Sequence, residues 1–287
     1  MAALILDGSA TARTIREEIK AGVAELIETT GVTPHLAVVI VGEDPASKVY
    51  VNMKRKAAVA AGMLSTVHEL PENSSQEQVV EIVRTLSADP NIHGVMVQHP
   101  VPKHLDEQAI LDSVSPDKDV DGISRHSLGS LMTGDPMFVS ATPAGIIELL
   151  DRYDLPIEGK HAVVVGRSII LGKPVALLLL NRHATVTICH TRTRDLAEMT
   201  RQADILVAAV GKPEMITGDM VKEGAIVIDA GYNKVEGRDK DVGDVDFASA
   251  ERKASAITPV PGGVGPMTIT MLLSNTLKAA RRLAGVG

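Results

Sequence analysis

The chain has no tryptophan, and aromatic residues make up only 2% of it. Ala, Val, Ile and Leu must therefore fill the interior, a composition suited to parallel strands covered by helices. A single cysteine excludes an internal disulfide framework and any Cys-rich metal site. No apolar run approaches the roughly 20 residues that a bilayer span needs, and the first residues lack the apolar core of a signal peptide. The expectation is a soluble, cytoplasmic protein with no membrane partner. A formal net charge of −7 argues against general nucleic-acid binding. The histidines show no metal spacing: His99 and His104 are separated by two prolines, Pro100 and Pro102, and no metal is expected. Ser168 has no base at readable spacing, so a hydrolase triad has no support. The dinucleotide fingerprint G-x-G-x-x-G is missing as well. So is a nucleotide P-loop, whose spacing is missed by one residue and whose magnesium-holding Ser or Thr is replaced by Pro174.

At 287 residues with 45% apolar content, the chain is long enough for two α/β domains. The stretch from Lys160 to Thr193 organises the second. Ala162 to Val165 reads as a strand ending in Gly166-Arg167-Ser168. Pro174 opens a helix over Val175 to Leu180, and Ala184 to Ile188 reads as the next strand. Such a β-turn-α-β unit sets a helix N-terminus beside the end of a strand, and backbone N–H groups there suit phosphate. An NAD site carries Asp or Glu after the second strand; this chain has His190-Thr191-Arg192-Thr193-Arg194, plus Arg167 in the turn. Arginine suits the 2′-phosphate of NADP. The alternative is solvated charge after an ordinary βαβ unit.

Elsewhere the pattern predicts a helix over Ala10 to Glu28, with Ile15, Ile19, Val23, Leu26 and Ile27 on one face. It predicts strands at His35 to Val41, Thr66 to Leu70 and Gly94 to Gln98. Helices are expected from about Ala46 to Ala61, from a capping box at Ser74 to Gln78 through Leu86, and over Asp106 to Val114. Ser124 to Ser140 is the weakest-patterned segment and reads as the linker. Thr142-Pro143 opens a helix to Leu150 with Pro143 at the first helical position. A helix near Leu196 to Gln202 and strands at Ile205 to Ala209 and Ala225 to Ala230 follow. The loop Thr258 to Pro266 then precedes a helix from Met267 to about Leu283, which is expected to return to the first domain. The fold class is α/β: two α/β domains with parallel sheets, the second Rossmann-like. The boundaries are 1–140 plus the C-terminal helix 268–287, and 141–267.

Several stretches carry possible chemistry. Tyr50 and Lys54 stand four apart on one helix face, where a phenol ring offers a platform to a planar heterocycle and an ammonium lies at its edge. Lys48, Arg55 and Lys56 are expected to lower the Lys54 pKa through positive potential. A surface helix with scattered lysines is the other reading. Asp117-Lys118-Asp119-Val120-Asp121-Gly122 starts like a calcium loop, but Leu128 stands where the bidentate Glu belongs. One of its carboxylates could accept two parallel hydrogen bonds from an amino-pyrimidinone edge, or the aspartates could merely cap the turn. Gln98 ends a strand where open α/β sheets present ligand contacts, or faces solvent. Pro259 to Pro266 is a stiff loop, poor in side chains, that lets backbone approach a ligand or only turns tightly.

Together these stretches resemble the bifunctional methylenetetrahydrofolate dehydrogenase/methenyltetrahydrofolate cyclohydrolase family. The matching blocks are Tyr50-x-x-x-Lys54-x-Lys56, Val97-Gln98, Lys118 to Gly122, Thr142-Pro143-x-Gly145, Gly166-Arg167-Ser168, Gly172-Lys173-Pro174 and Pro259 to Thr268, in order over nearly the whole chain. The resemblance implies NADP-dependent oxidation of 5,10-methylenetetrahydrofolate, then hydrolysis to 10-formyltetrahydrofolate, in one cleft between the domains, as part of one-carbon metabolism. By the same likeness Lys54 handles protons in the second step, oriented by Gln98, while Tyr50 stacks on the folate and Asp121 holds the pterin edge. These four are the catalytic set, and with Pro261, Gly262 and Gly263 they bind substrate. Gly166, Arg167, Ser168, Thr191, Arg192 and Tyr232 are the cofactor residues, and a homodimer is implied. Three stretches depart from the family pattern. Val97-Gln98-His99-Pro100-Val101-Pro102 stands for the usual V-Q-L-P-L-P, with His99 after the strand-end Gln, Ser140-Ala141-Thr142-Pro143 stands for P-C-T-P, and Gly231-Tyr232-Asn233 stands for G-I-N. A two-domain NADP dehydrogenase of shikimate type is the runner-up. A silent folate- or NADP-binding regulator would be expected to lack Lys54 or Gln98, and both are present.

Overall fold

The structure is a computed structural model that describes residues 2–238 and 241–286. In chain order its elements are β1 (Leu4–Ile5), α1 (Gly8–Thr30), β2 (His35–Val41), α2 (Pro45–Ala60), β3 (Leu64–Leu70), α3 (Gln76–Ala88), β4 (Gly94–Val97) and α4 (Glu107–Leu111). Next come α5 (Arg125–Thr133), α6 (Ala141–Arg152), β5 (His161–Val165), α7 (Gly172–Asn181), β6 (Thr185–Cys189), α8 (Leu196–Thr200) and β7 (Ile205–Ala208). The chain closes with β8 (Ile226–Asp229), α9 (Phe247–Glu251), β9 (Ala256–Ile257) and α10 (Val264–Leu283). It divides into two compact units, one of Met1–Arg13 with Ser140–Thr268, the other of Thr14–Val139 with Ile269–Gly287.

The unit around Thr14–Val139 is built on a parallel sheet of order β3-β2-β4. Central β2 is buried from Leu36 to Val41, as a strand covered on both faces must be. Each of its Leu, Val and Ile side chains removed from water stabilises the fold by ~1.5–3 kcal/mol. Ile15, Ile19, Val23 and Leu26 of α1 are buried, but Ile27, expected on the same face, is 37% exposed. One step on from Leu26 rotates it about 100° off the stripe. Ser75 caps α3 through a reciprocal bond with Gln78, as the sequence suggests.

The expected linker is instead part of this unit. Ser124 accepts from the Ser127 N–H to start α5, Gly134 ends it in the left-handed region, and Leu131 and Phe138 are each 1% exposed. Serine and glycine hide the helix from periodicity, and capping supplies what apolar pattern does not. Residues 269–287 belong here too, with Asn275 Nδ2 donating to the carbonyls of Val120 and Val139 at 2.8 and 3.1 Å.

The other unit holds a parallel sheet of order β1-β9-β8-β7-β5-β6. From β5 the chain moves to β6 on one side and to β7 on the other, which is the topological switch point of a Rossmann-type sheet. Its core gathers Val163, Val165, Leu206, Ala208, Val227 and Ile257. The start of the chain falls here rather than with residues 14–139, because β1 pairs with β9, Leu4 against Ala256 and Ile5 against Ile257. Strands as short as β1 and β9 carry no readable period. Pro143 is the third helical residue, not the first, since Ser140 is the N-cap of α6. Likewise α10 begins at Val264 and takes Pro266 into its first turn, where a missing N–H leaves no bond unmade.

Candidate active site

Entry into α2 is set by Asp44, whose carboxylate accepts from the Ser47 N–H at 2.8 Å, and by Pro45 in the first turn. Ser47, Val51, Lys54 and Ala58 then recur at helical spacing as the buried stripe. A lysine therefore occupies a core position, only 5% exposed. Its Nζ donates to Gln98 Oε1 at 3.1 Å, lies 3.4 Å from Met96 Sδ, and stands 4.5 Å from the centroid of the Tyr50 ring. The Gln98 amide is oriented by its own Nε2, which donates to the His99 carbonyl at 2.7 Å and leaves Oε1 facing the amine. Burial pushes the Lys54 pKa down to about 8, with the Asp121 charge acting in the opposite sense. The cause expected from sequence, positive charge on Lys48, Arg55 and Lys56, is not the operative one. Lys48 pairs with Glu43 and Glu69, and with Arg55 it lines a groove that includes none of Tyr50, Lys54, Gln98 and Asp121.

The aspartate loop divides its work. Lys118 Nζ donates to the Asp89 carbonyl at 2.6 Å, and Asp117 lies 3.6 Å from Arg282. Asp119, 2% exposed, accepts from Gly122 N–H, Ser124 N–H and Ser127 Oγ at 3.1, 3.1 and 2.6 Å. Its backbone also bridges in parallel to Val95 of β4, and two residues further along the same direction the chain delivers Asp121 beside the end of β4. Among the described residues no hydrogen bond engages the Asp121 carboxyl. Burial raises its pKa, opposed by Lys54 and His99 and reinforced by Asp119. Tyr50, half-buried, has its phenol raised as well, by burial and then by Asp121. The structure thus gathers Tyr50, Lys54, Gln98 and Asp121 into one site with a low-pKa amine, an amide, a ring face and an unengaged carboxyl. Sequence reasoning missed Met96, whose sulfur meets the amine; being strand-interior, it carried no signal.

In the Rossmann-type unit Gly166, Arg167 and Ser168 follow β5, and His190, Thr191 and Arg192 follow β6 on the same sheet edge, with Gly166 N–H donating to the Cys189 carbonyl at 2.9 Å. Gly166, at φ 141°, could carry no side chain, because a Cβ would run into the Ala209 carbonyl beyond β7. One expectation needs correction. The first amides of α7 are already engaged by Ser168, whose Oγ accepts from Gly172 N–H at 3.2 Å and whose carbonyl accepts from Lys173 N–H at 3.0 Å. The N–H groups that meet no acceptor among the described residues are those of the turn itself, Arg167 through Leu171. Those amides, with exposed Arg167, Thr191 and Arg192 and no carboxylate directly after β6, fit a dinucleotide diphosphate and a 2′-phosphate. Tyr232 follows β8, is 64% exposed, and donates its hydroxyl to Asp241. Pro261, Gly262 and Gly263 follow β9, where the Gly262 carbonyl accepts from the Ser9 N–H at 2.9 Å.

Buried amine, amide and carboxyl on one α/β unit, and a phosphate-suited turn at the switch point of another, define a two-unit dinucleotide-dependent enzyme. Comparison with known proteins specifies it. The family "Tetrahydrofolate dehydrogenase/cyclohydrolase, catalytic domain" matches residues 6–121, and its "NAD(P)-binding domain" matches residues 140–284. The chain belongs to this family. It is 57% identical over 282 residues to the bifunctional protein FolD of Moorella thermoacetica, covering 98% of this chain and 100% of that protein. A crystal structure of the bifunctional FolD methylenetetrahydrofolate dehydrogenase/cyclohydrolase of Campylobacter jejuni superimposes with a TM-score of 0.95 at 45% identity, over 98% of this chain and 99% of that one. The Trypanosoma brucei enzyme, solved with NADP and an inhibitor, gives a TM-score of 0.94 at 41% identity, over 98% of each chain.

Proposed function

We propose that the protein oxidises 5,10-methylenetetrahydrofolate with NADP and hydrolyses the 5,10-methenyl product to 10-formyltetrahydrofolate. The observation that carries this reading is the Lys54 amine, buried between Gln98 and Tyr50 and held at a pKa of about 8. When bound, NADP supplies the hydride acceptor, C4 of its nicotinamide. That step asks only alignment of two carbons and no protein acid or base. Hydrolysis does need a base. Neutral Lys54 takes a proton from the water that adds to the methenyl carbon, a role its lowered pKa suits near neutral pH. Gln98 aims the amine, Tyr50 offers its ring face to the folate, and Asp121 accepts from the amino-pyrimidinone edge of the pterin. By family likeness Pro261, Gly262 and Gly263 are further folate contacts. Gly166, Ser168, Thr191 and Tyr232 contact the cofactor, and Arg167 and Arg192 read its 2′-phosphate.

The test is an absorbance assay with methylenetetrahydrofolate and NADP or NAD, following reduced cofactor and the methenyl intermediate. Reduced cofactor and transient methenyl absorbance are expected, with NADP preferred. Oxidation of shikimate instead, or no turnover of either substrate, refutes the reading. Family likeness further supports a cytoplasmic homodimer, checked by sedimentation and cell fractionation. No helix among the described residues is long and apolar enough to cross a membrane.

A further inference from the structure

Two buried aspartates in the Rossmann-type unit take no part in the chemistry above. Asp229 ends β8 and is 3% exposed; Asp244 lies fifteen residues on and is fully buried. Asp244 accepts three consecutive backbone N–H groups, Val210 at 2.6, Gly211 at 2.9 and Lys212 at 2.9 Å, and also Asn233 Nδ2 at 2.9 Å. Successive amides converging on one point form a nest of the kind that binds anions, and here an internal carboxylate fills it. Asp229 in turn accepts Gly231 N–H at 2.8, Asp244 N–H at 3.0 and Val245 N–H at 2.9 Å, so the second aspartate is itself held by the first. The packing leaves no room beside them. A Cβ on Gly243 would run into the Asp229 carboxylate, and one on Gly231 into that of Asp244.

What this pair holds is specific. Val210 to Lys212 is the turn leaving β7, and Gly231 to Asn233 the turn leaving β8, both at the carboxyl ends of parallel strands. The β7 side is also one lip of the switch-point crevice, since Gly166 on the β5 side packs against Ala209. Dinucleotides bind in that crevice in sheets of this topology. We propose that Asp244, braced by Asp229, is a positioning residue for the dinucleotide: it locks the Val210–Lys212 lip and Asn233 so that the crevice is set before the cofactor arrives. Fully buried, its carboxylate is turned to the lip amides and not to the cofactor. It acts by removing the conformational freedom that binding would otherwise have to remove.

The proposal rests on the dinucleotide lying at this crevice, and the experiment separates the two ideas. Asp244→Asn keeps the shape but removes the charge and one acceptor oxygen. In the ligand-free protein the amides of Val210, Gly211 and Lys212 should exchange with solvent at least ~10-fold faster. By calorimetry NADP should bind at least ~10-fold more weakly. Hydrolysis of added methenyltetrahydrofolate, which uses no dinucleotide, should stay within about twofold. A merely structural role would lower both or neither. NADP binding within twofold of wild type, with the turn amides loosened, overturns the proposal, as does a parallel loss of hydrolysis. If Asp244→Asn does not fold, Asn233→Ala removes a single donor and should weaken NADP ~3-fold or more; unchanged binding overturns the proposal. Arg167→Ala is the control. If it too leaves NADP binding unchanged, the placement at the crevice fails and the proposal falls with it.

Discussion

Asp121→Asn tests the electrostatics of the folate-side site most directly. In the wild type two influences on Lys54 oppose each other. Burial lowers its pKa and the Asp121 charge raises it, with burial the larger, and the outcome is about 8. Removing the carboxylate charge deletes only the opposing part, so the amine should titrate at still lower pH. An opposite charge nearby favours the protonated amine, so its removal favours the neutral form and the displacement is toward acid. If neutral Lys54 is the base in hydrolysis, kcat/KM for methenyltetrahydrofolate rises with pH along a limb that reports the free enzyme's amine. In the wild type that limb should centre near pH 8. In Asp121→Asn it should move toward acid while the maximum falls, because the pterin loses an acceptor. The assay is loss of methenyl absorbance, corrected for uncatalysed hydrolysis at each pH. A limb that stays in place, or moves toward alkali, would refute the opposition between burial and Asp121 at Lys54.

Lys54→Met should reduce hydrolysis by at least ~100-fold in a folded protein, the lower range for a positioned acid or base; unchanged turnover would remove Lys54 from the role. Arg167→Ala should weaken NADP much more than NAD, measured as the ratio of dissociation constants, since the lost contact is with the 2′-phosphate. Asp229 offers a stability test. Burial outweighs its three N–H donors and lifts its folded-state pKa to about 6, above the ~3.9 of an unfolded chain. The folded state therefore holds the proton more tightly, and this group's contribution to stability declines as pH rises from about 4 to 6, by ~2–3 kcal/mol in all. Urea unfolding of Asp229→Asn against wild type should show that decline only in the wild type, and equal slopes would contradict the assignment.

Much of the architecture is legible in the chain because local signals and tertiary outcome agree. β2 is an unbroken apolar run, which a strand buried on both faces requires, and its predicted bounds, His35 to Val41, are those observed. The capping box before α3 and the β-turn-α-β run from β5 to β6 are also written in residue order. What failed was weakly patterned. α5 is a helix secured by Ser124 and by an aspartate network that spans the loop, and β1 and β9 are defined only by partners distant in sequence. The placement of the chain start with the Rossmann-type unit follows from that pairing and from nothing in residues 1–13 themselves.

The amino-acid sequence alone determined residue types and their local phase: that Tyr50 and Lys54 share a helix face, that Gln98 ends a strand, and that arginine rather than carboxylate follows the second strand of the nucleotide-type unit. Only the tertiary structure decided environment. The depth of Lys54, which sets its pKa, comes from the packing of α2, and its contact with Met96 comes from β4. Whether an aspartate is a scaffold, like Asp119, Asp229 and Asp244, or is left unengaged, like Asp121, depends on which donors the fold brings to it. Desolvation and hydrogen bonding are properties of surroundings assembled from residues far apart in the chain, and no stretch read by itself contains them.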